Sequence, residues 1–153
     1  MKKKINLNNY NIKGLKISVD FDNTLSRKDV QEYISELLSL GVEVYVTTAR
    51  YDDLNAYKYT NNPGNEDLWN ILKKLNIDFK KVRFTLMEYK INYLQGTPIV
   101  WHLDDLYEEY FKFKYSKNKT FKMIIVNTSN WKFKCSRLLI EKSLENGRKS
   151  LSS

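Results

Sequence analysis

Short apolar runs recur along the chain, with helical patterns between them. Leu15-Lys16-Ile17-Ser18-Val19-Asp20 reads as a strand that ends in an acid. Val42-Glu43-Val44-Tyr45-Val46-Thr47 is rich in β-branched residues and reads as a second. Val82-Arg83-Phe84-Thr85-Leu86 is a third. Pro98-Ile99-Val100-Trp101-His102-Leu103 is a fourth, because proline is tolerated at the first position of a strand. Phe121-Lys122-Met123-Ile124-Ile125-Val126 is a fifth.

The intervening segments carry helical period and cap signals. Val30, Ile34, Leu37 and Leu38 fall on one helical face after Ser26-Arg27-Lys28-Asp29, which resembles a capping box. Gly41 stands where a C-terminal glycine cap belongs. Leu68, Ile71, Leu72 and Leu75 form the next stripe, with Glu66 and Asp67 in the first turn, where the helix dipole favours acids. Shorter helices are predicted over residues 88–94 and 106–115. Trp131, Cys135, Leu138 and Leu139 share a face of the last helix, bounded by Ser129-Asn130 and Gly147. The longest irregular stretch is residues 50–65, ending in Asn61-Asn62-Pro63-Gly64-Asn65. Strands alternating with helices imply βαβ units. The expectation is one Rossmann-like α/β domain over residues 1–153, with a five-stranded, mainly parallel sheet flanked by helices. Residues 1–10 and 148–153 are expected to fray.

Composition narrows the class. A chain of 153 residues, 42% hydrophobic and 29% charged, fits a globular domain that holds its core without staples. No apolar run approaches the ~20 residues of a membrane span, and the lysine-rich start lacks the apolar stretch of a secretory signal. A cytoplasmic setting is the expectation. One cysteine excludes an internal disulfide, and a single histidine leaves a histidine-built metal site unsupported. The net charge of +8 is unevenly spread: residues 1–16 and 111–153 are basic, and the stretch between them is acidic. The basic ends suit contact with nucleic acid. A compositional bias toward lysine explains the same charge without a partner.

Parallel α/β sheets place ligand sites at the carboxyl ends of their strands. The first strand ends in Asp20-Phe21-Asp22-Asn23-Thr24, the second in Thr47-Thr48-Ala49-Arg50, and the fourth in Asp104-Asp105. Four carboxylates, two hydroxyls and an arginine are therefore expected along one edge. Like charges so close repel unless a cation or a proton intervenes. With oxygen ligands alone on offer, the cation is expected to be hard, and Mg²⁺ fits best. An ionised Asp20 could act as a nucleophile toward phosphorus, and Asp22 as a general acid and base.

These residues carry a resemblance. Ile17-Ser18-Val19-Asp20-Phe21-Asp22-Asn23-Thr24-Leu25 resembles the first motif of the haloacid dehalogenase (HAD) superfamily, an apolar strand followed by D-x-D-x-T. Val44-Tyr45-Val46-Thr47-Thr48-Ala49-Arg50 resembles the second motif, in a form similar to nucleotidases and polynucleotide 3′-phosphatases. Ile99-Val100-Trp101-His102-Leu103-Asp104-Asp105 resembles the fourth.

The resemblance implies a Mg²⁺-dependent phosphomonoester hydrolase acting through an aspartyl-phosphate. Asp20 would be nucleophile and metal ligand. Asp22 would be general acid/base, binding metal through its carbonyl. Thr48 would bind the phosphoryl oxygens, Asp104 would bind Mg²⁺, and Asp105 would support it. Lys90 is the lysine that fits the third motif, with Lys80 and Lys81 as rivals. Arg50, Asn23 and Thr24 would face the substrate, a nucleotide or a nucleic-acid terminal phosphate. No segment is long enough for a cap domain, so the site is expected to be open. Residues 50–65 are the local cover, with Tyr51, Asp52, Asp53, Tyr57 and Tyr59 as substrate contacts.

Each feature also has a plain structural explanation: Asp-x-Asp in a turn, Asp104-Asp105 as a helix cap, threonines in a strand. Their joint placement at one edge is what favours chemistry. His102 is expected to be structural and Cys135 to be core. A metal-dependent nuclease is the alternative enzyme, since clustered carboxylates could hold two metal ions. A catalytically silent binding protein of the same fold is the other.

Overall fold

The computed structural model describes residues 5–60 and 64–152. Five strands, β1 (Lys16–Val19), β2 (Glu43–Thr48), β3 (Val82–Phe84), β4 (Ile99–Asp104) and β5 (Lys122–Ile125), form one sheet in the order β3-β2-β1-β4-β5. All four pairings are parallel. The helices are α1 (Lys28–Ser39), α2 (Asp53–Tyr59), α3 (Glu66–Leu75), α4 (Ile91–Leu94), α5 (Tyr107–Lys114) and α6 (Trp131–Ser152).

The α/β reading holds, and strand order supplies the asymmetry that matters. From β1 the chain steps outward through β2 to β3, then returns past β1 to β4 and β5. Right-handed crossovers place helices from the two halves on opposite faces. On one face, Tyr33 of α1 stacks against Trp101 of β4 at 6.5 Å and meets Trp131 of α6 edge-on at 5.4 Å. Trp101 is fully buried, and its indole N–H donates to the Cys135 carbonyl at 3.0 Å. Leu68 and Leu72 of α3 join the same core. On the other face, Ile91 and Leu94 of α4 and Phe113 of α5 pack on Ile99 and Met123, over β4 and β5.

Several local expectations need correction. Ser26 does not cap α1. Arg27 is the N-cap residue, and Asp29 accepts the Val30 N–H at 2.9 Å while Arg27 grips its carboxylate. At the other end Gly41, with φ +86°, and Val42 close the helix through bonds to the Leu38 and Leu37 carbonyls, the double closure that a left-handed glycine permits. Residues 50–65 are not wholly irregular: they hold α2, capped by the Asp52 carboxylate on Asn55 N at 2.9 Å. Asn61, Asn62 and Pro63, in that predicted irregular stretch, lie outside the described residues. Gly147 does not end α6, which continues to Ser152, so residues 148–152 are helical rather than frayed. An interior glycine costs a helix only about 1 kcal/mol, and Lys149 pairs with Glu145 at 3.1 Å across this turn. Near the other terminus Leu7 is buried in the core, which ties down the stretch 5–10 that was expected to be loose; residues 1–4 and 153 lie outside the described residues. Among the described residues, no helix is long and apolar enough to cross a membrane.

A candidate active site at the carboxyl edge of the sheet

Asp20 follows the last residue of β1 and is 4% exposed. Its backbone N–H donates to the Leu103 carbonyl at 2.9 Å, locking it beside β4. The chain then turns sharply: Asn23 sits in the left-handed region at φ 56°, and Leu25 N–H returns to the Asp20 carbonyl. Asparagine tolerates that conformation better than most side chains. The turn brings the Thr24 hydroxyl back to Asp20 Oδ2 at 3.3 Å.

Asp104, at the end of β4, is fully buried. Its Oδ1 accepts the Leu106 N–H at 3.1 Å. Lys90, 2% exposed, joins the two acids: Nζ donates to Asp20 Oδ1 at 2.7 Å and to Asp104 Oδ2 at 2.6 Å. A turn after β3, with Leu86 and Met87 both at positive φ, returns the chain so that this lysine enters the site. The buried Glu109 carboxylate accepts the Lys90 backbone N–H at 3.0 Å and anchors the segment from α5. Lys80 and Lys81 lie before β3, at the far end of the sheet.

A chain of polar contacts runs beneath Asp104. His102 Nε2 lies 2.7 Å from Asp104 Oδ2, and Nδ1 lies 2.9 Å from Ser18 Oγ, itself 2.8 Å from Thr47 Oγ1. Burial drives the His102 pKa down, which favours the neutral ring. A carboxylate only accepts, so the Nε2 proton points to Asp104 and Nδ1 accepts from Ser18. His102, Ser18 and Thr47 thus form a hydrogen-bonded floor that holds Asp104. Strand alternation made His102–Asp104 a legible pair. Thr47 stands among the hydroxyls expected at the edge, but its place beneath Asp104 has no sequence signal, and neither do the roles of Ser18 and Glu109.

The electrostatics divide the two buried acids. Burial, with Asp104 adding to it, pushes the Asp20 carboxyl well above its ordinary value, and Lys90 offsets only part of this. Burial would raise Asp104 too, but the His102 hydrogen bond and the Lys90 ammonium outweigh it and hold Asp104 well below the usual range. Burial lowers the Lys90 pKa, and the two aspartates more than compensate, so the lysine stays charged.

Asp20, Asp104 and the half-buried Asp105 each offer a carboxylate oxygen, all within 4.8 Å of one another. Three oxygen donors at that spacing fit a hard divalent cation. The Asp22 carboxylate is not among them. It points to Arg50, which grips it with Nε at 2.9 Å and Nη2 at 2.7 Å. Arg50 also forks onto Asp67 at 2.7 and 2.8 Å, and Nη1 reaches Asn65 Oδ1 at 3.3 Å. All five guanidinium N–H groups therefore have partners. Arg50, expected to face a substrate, is a clamp between the turn after β1 and the start of α3. The Asp67 partnership had no sequence signal, because a first-turn acid is explained by the helix dipole.

Thr48 is fully buried at the end of β2, where its hydroxyl accepts the Arg50 N–H at 3.3 Å. The acids expected to contact substrate on the α2 segment have internal partners: Asp52 caps α2, and Asp53 takes the Asn65 side-chain N–H at 2.7 Å and the Trp69 N–H at 2.9 Å. Tyr51 and Tyr59 contact each other at 5.9 Å, and the Tyr57 ring is exposed. Comparison with protein-family models, curated proteins and solved structures finds no match to this chain.

Proposed function

We propose that this protein is a Mg²⁺-dependent phosphomonoester hydrolase of the HAD type, acting through an aspartyl-phosphate on a nucleotide or a nucleic-acid terminal phosphate. The observation that carries the reading is the buried Asp20, met by Lys90 at 2.7 Å and by Asp104 and Asp105 within 4.8 Å. Burying two carboxylates and an ammonium costs several kcal/mol per ion before their attraction is counted. A structural role is met more cheaply by apolar residues, so the arrangement points to chemistry.

Asp20, Asp104 and Asp105 would hold the cation, which supplies charge neutralisation for the phosphoryl oxygens. A neighbouring cation also favours the ionised form of Asp20, against the burial that now opposes it. Asp20 attacks phosphorus through one carboxylate oxygen. The bond from phosphorus to the leaving oxygen breaks, and that oxygen takes a proton from Asp22. Water then loses a proton to Asp22 and attacks phosphorus, the acyl-phosphate P–O bond breaks, and inorganic phosphate leaves. Lys90 balances charge on the transferring group. For Asp22 to exchange protons, at least one of its two bonds to Arg50 must open.

A two-metal nuclease fits less well. Three carboxylates converge rather than four, and Lys90 already occupies one oxygen on each of two. The test is inorganic phosphate release with Mg²⁺ from a 3′-phosphorylated oligonucleotide, a 5′-phosphorylated one and a panel of mononucleotides. Release is expected from at least one, with loss of more than a hundredfold in Asp20→Asn. Undiminished release by Asp20→Asn overturns the covalent mechanism. Cleavage of an unphosphorylated oligonucleotide would establish the nuclease, and no turnover on any substrate the silent binding protein.

A further inference from the structure

Parallel sheets are ordinarily covered on both faces. Here Lys16 and Ser18 of β1 pair with Glu43 and Tyr45 of β2, and Thr47 with Arg83 of β3. Alternation puts all six on one face. That face is covered over β4 and β5 by α4 and α5, but α4 is a single turn, and toward β3 the cover is partial: Ser18 and Thr47 are buried, Lys16, Glu43 and Tyr45 half-buried, and Arg83 exposed. The opening is a groove of about 280 Å³. Lys16, Lys80, Lys81 and Arg83 line it together with Tyr45 and Tyr93.

The groove combines cations with half-buried rings. Lys81 Nζ lies 5.4 Å from the Tyr45 ring centre, and the Arg83 guanidinium 5.5 Å from that of Tyr93. Among the described residues, Lys80, Lys81 and Arg83 form no ion pair, and Lys16 meets Glu43 only at 3.9 Å. Two further acids border the cations: Asp78, which caps its own turn at Lys80 N, and Glu88, which accepts the Tyr93 hydroxyl. The basic side chains outnumber the acids and face solvent.

We infer that this groove binds single-stranded nucleic acid, its lysines and arginine on successive phosphates and Tyr45 and Tyr93 against a base. Charge favours a polyanion, and the rings favour one that carries flat faces. The volume suits one base or sugar-phosphate unit, with neighbouring phosphates outside. The residues belong chiefly to the acidic middle of the chain, so this surface is distinct from the basic ends that the charge distribution indicates. It also lies toward the amino end of the sheet, away from Asp20, and stands without the phosphatase reading.

The test is fluorescence polarisation of a labelled oligothymidylate with hydroxyl ends, which offers no terminal phosphate to the carboxyl-edge site. Binding is expected with a log–log salt slope of about −2 to −3, corresponding to three or four phosphates. Lys81→Glu/Arg83→Glu is expected to weaken it at least tenfold and flatten the slope. The milder Lys81→Gln/Arg83→Gln is expected to act in the same direction, and Tyr93→Leu to cost roughly fivefold or more. Lys134→Glu/Arg148→Glu in α6 is expected to change affinity less than twofold. Absent binding overturns the inference, as does tight binding by the groove variants or loss confined to the α6 variant. Equal affinity for an oligoglutamate peptide overturns it in favour of an acidic-peptide site. Inorganic phosphate release from p-nitrophenyl phosphate, read in parallel, is expected to be unchanged in the groove variants. A failure of binding is thereby separable from a failure of the active-site reading.

Discussion

Lys90 Nζ lies 2.7 Å from Asp20 Oδ1, joining residues seventy positions apart inside a nearly solvent-free site. The same ammonium bonds Asp104, so one cation serves two buried carboxylates. Lys90→Met would leave both acids without it. Breaking a buried pair by removing one partner costs about 3–5 kcal/mol. The variant is expected to lose stability in that range, measured by urea denaturation at neutral pH. The deficit should narrow as pH falls, because burial has already raised the Asp20 carboxyl and a protonated Asp20 no longer needs the ammonium. A Lys90→Met protein as stable as the parent would show that the pair is not energetically coupled.

The three carboxylates at the sheet edge make a second, activity-free prediction. If Asp20, Asp104 and Asp105 hold Mg²⁺, the cation binds the folded state and stabilises it by mass action, about 2.7 kcal/mol at one hundred times Kd. Thermal unfolding with increasing MgCl₂ should show Tm rising by several degrees, and chelation should reverse it. Asp104→Asn should abolish the rise. A Tm that does not move at tens of millimolar Mg²⁺ would count against a metal site.

Arg50 ties Asp22 to Asp67, and with them the turn after β1 to the start of α3. The partner carboxylates are about half exposed, so solvent screening discounts each pair, and about 1–2 kcal/mol is the expected cost of Arg50→Ala. Lysine cannot reproduce the two forks, so Arg50→Lys should recover little. The sharper readout is limited proteolysis within residues 51–60, expected to accelerate in both variants and only modestly in Asp67→Asn, which leaves the Asp22 fork intact. Unchanged cleavage in Arg50→Ala would mean that other contacts hold this segment.

Cys135 is fully buried beneath Trp101, and burial pushes its thiol well above the ordinary value. The thiolate is the reactive form. Native protein at pH 8 is expected to be inert to a thiol reagent over an hour and to react fully once unfolded in guanidinium. Rapid native labelling would show that α6 opens.

The amino-acid sequence by itself determined the five strands, the parallel α/β class and the clustering of Asp20, Thr48, Asp104 and Asp105 at one edge. These follow from local facts: apolar runs of strand length, helical period between them, and acids immediately after the runs. The hand of the crossovers turns such facts into placement. Boundaries slipped where local signals competed, as at Ser26, where Arg27 takes the N-cap position and Asp29 accepts the Val30 N–H, and at Gly147, where helix continuation outweighs a glycine.

What joins those edge residues was decided by tertiary structure alone. Of the lysines near β3, only Lys90 meets Asp20 and Asp104, because the turn at Leu86 and Met87 and the anchor from Glu109 carry it inward. Arg50 became a clamp because folding set Asp67 beside it. Ser18 and Thr47 became the floor beneath Asp104 because β2 and β4 both pair with β1. The open groove has the same origin. A one-turn helix between β3 and β4 leaves part of one sheet face only half-covered, and that consequence appears only once the strand order β3-β2-β1-β4-β5 is set. Local patterns specify elements; contacts between residues distant in sequence depend on the packing free energy of the whole chain.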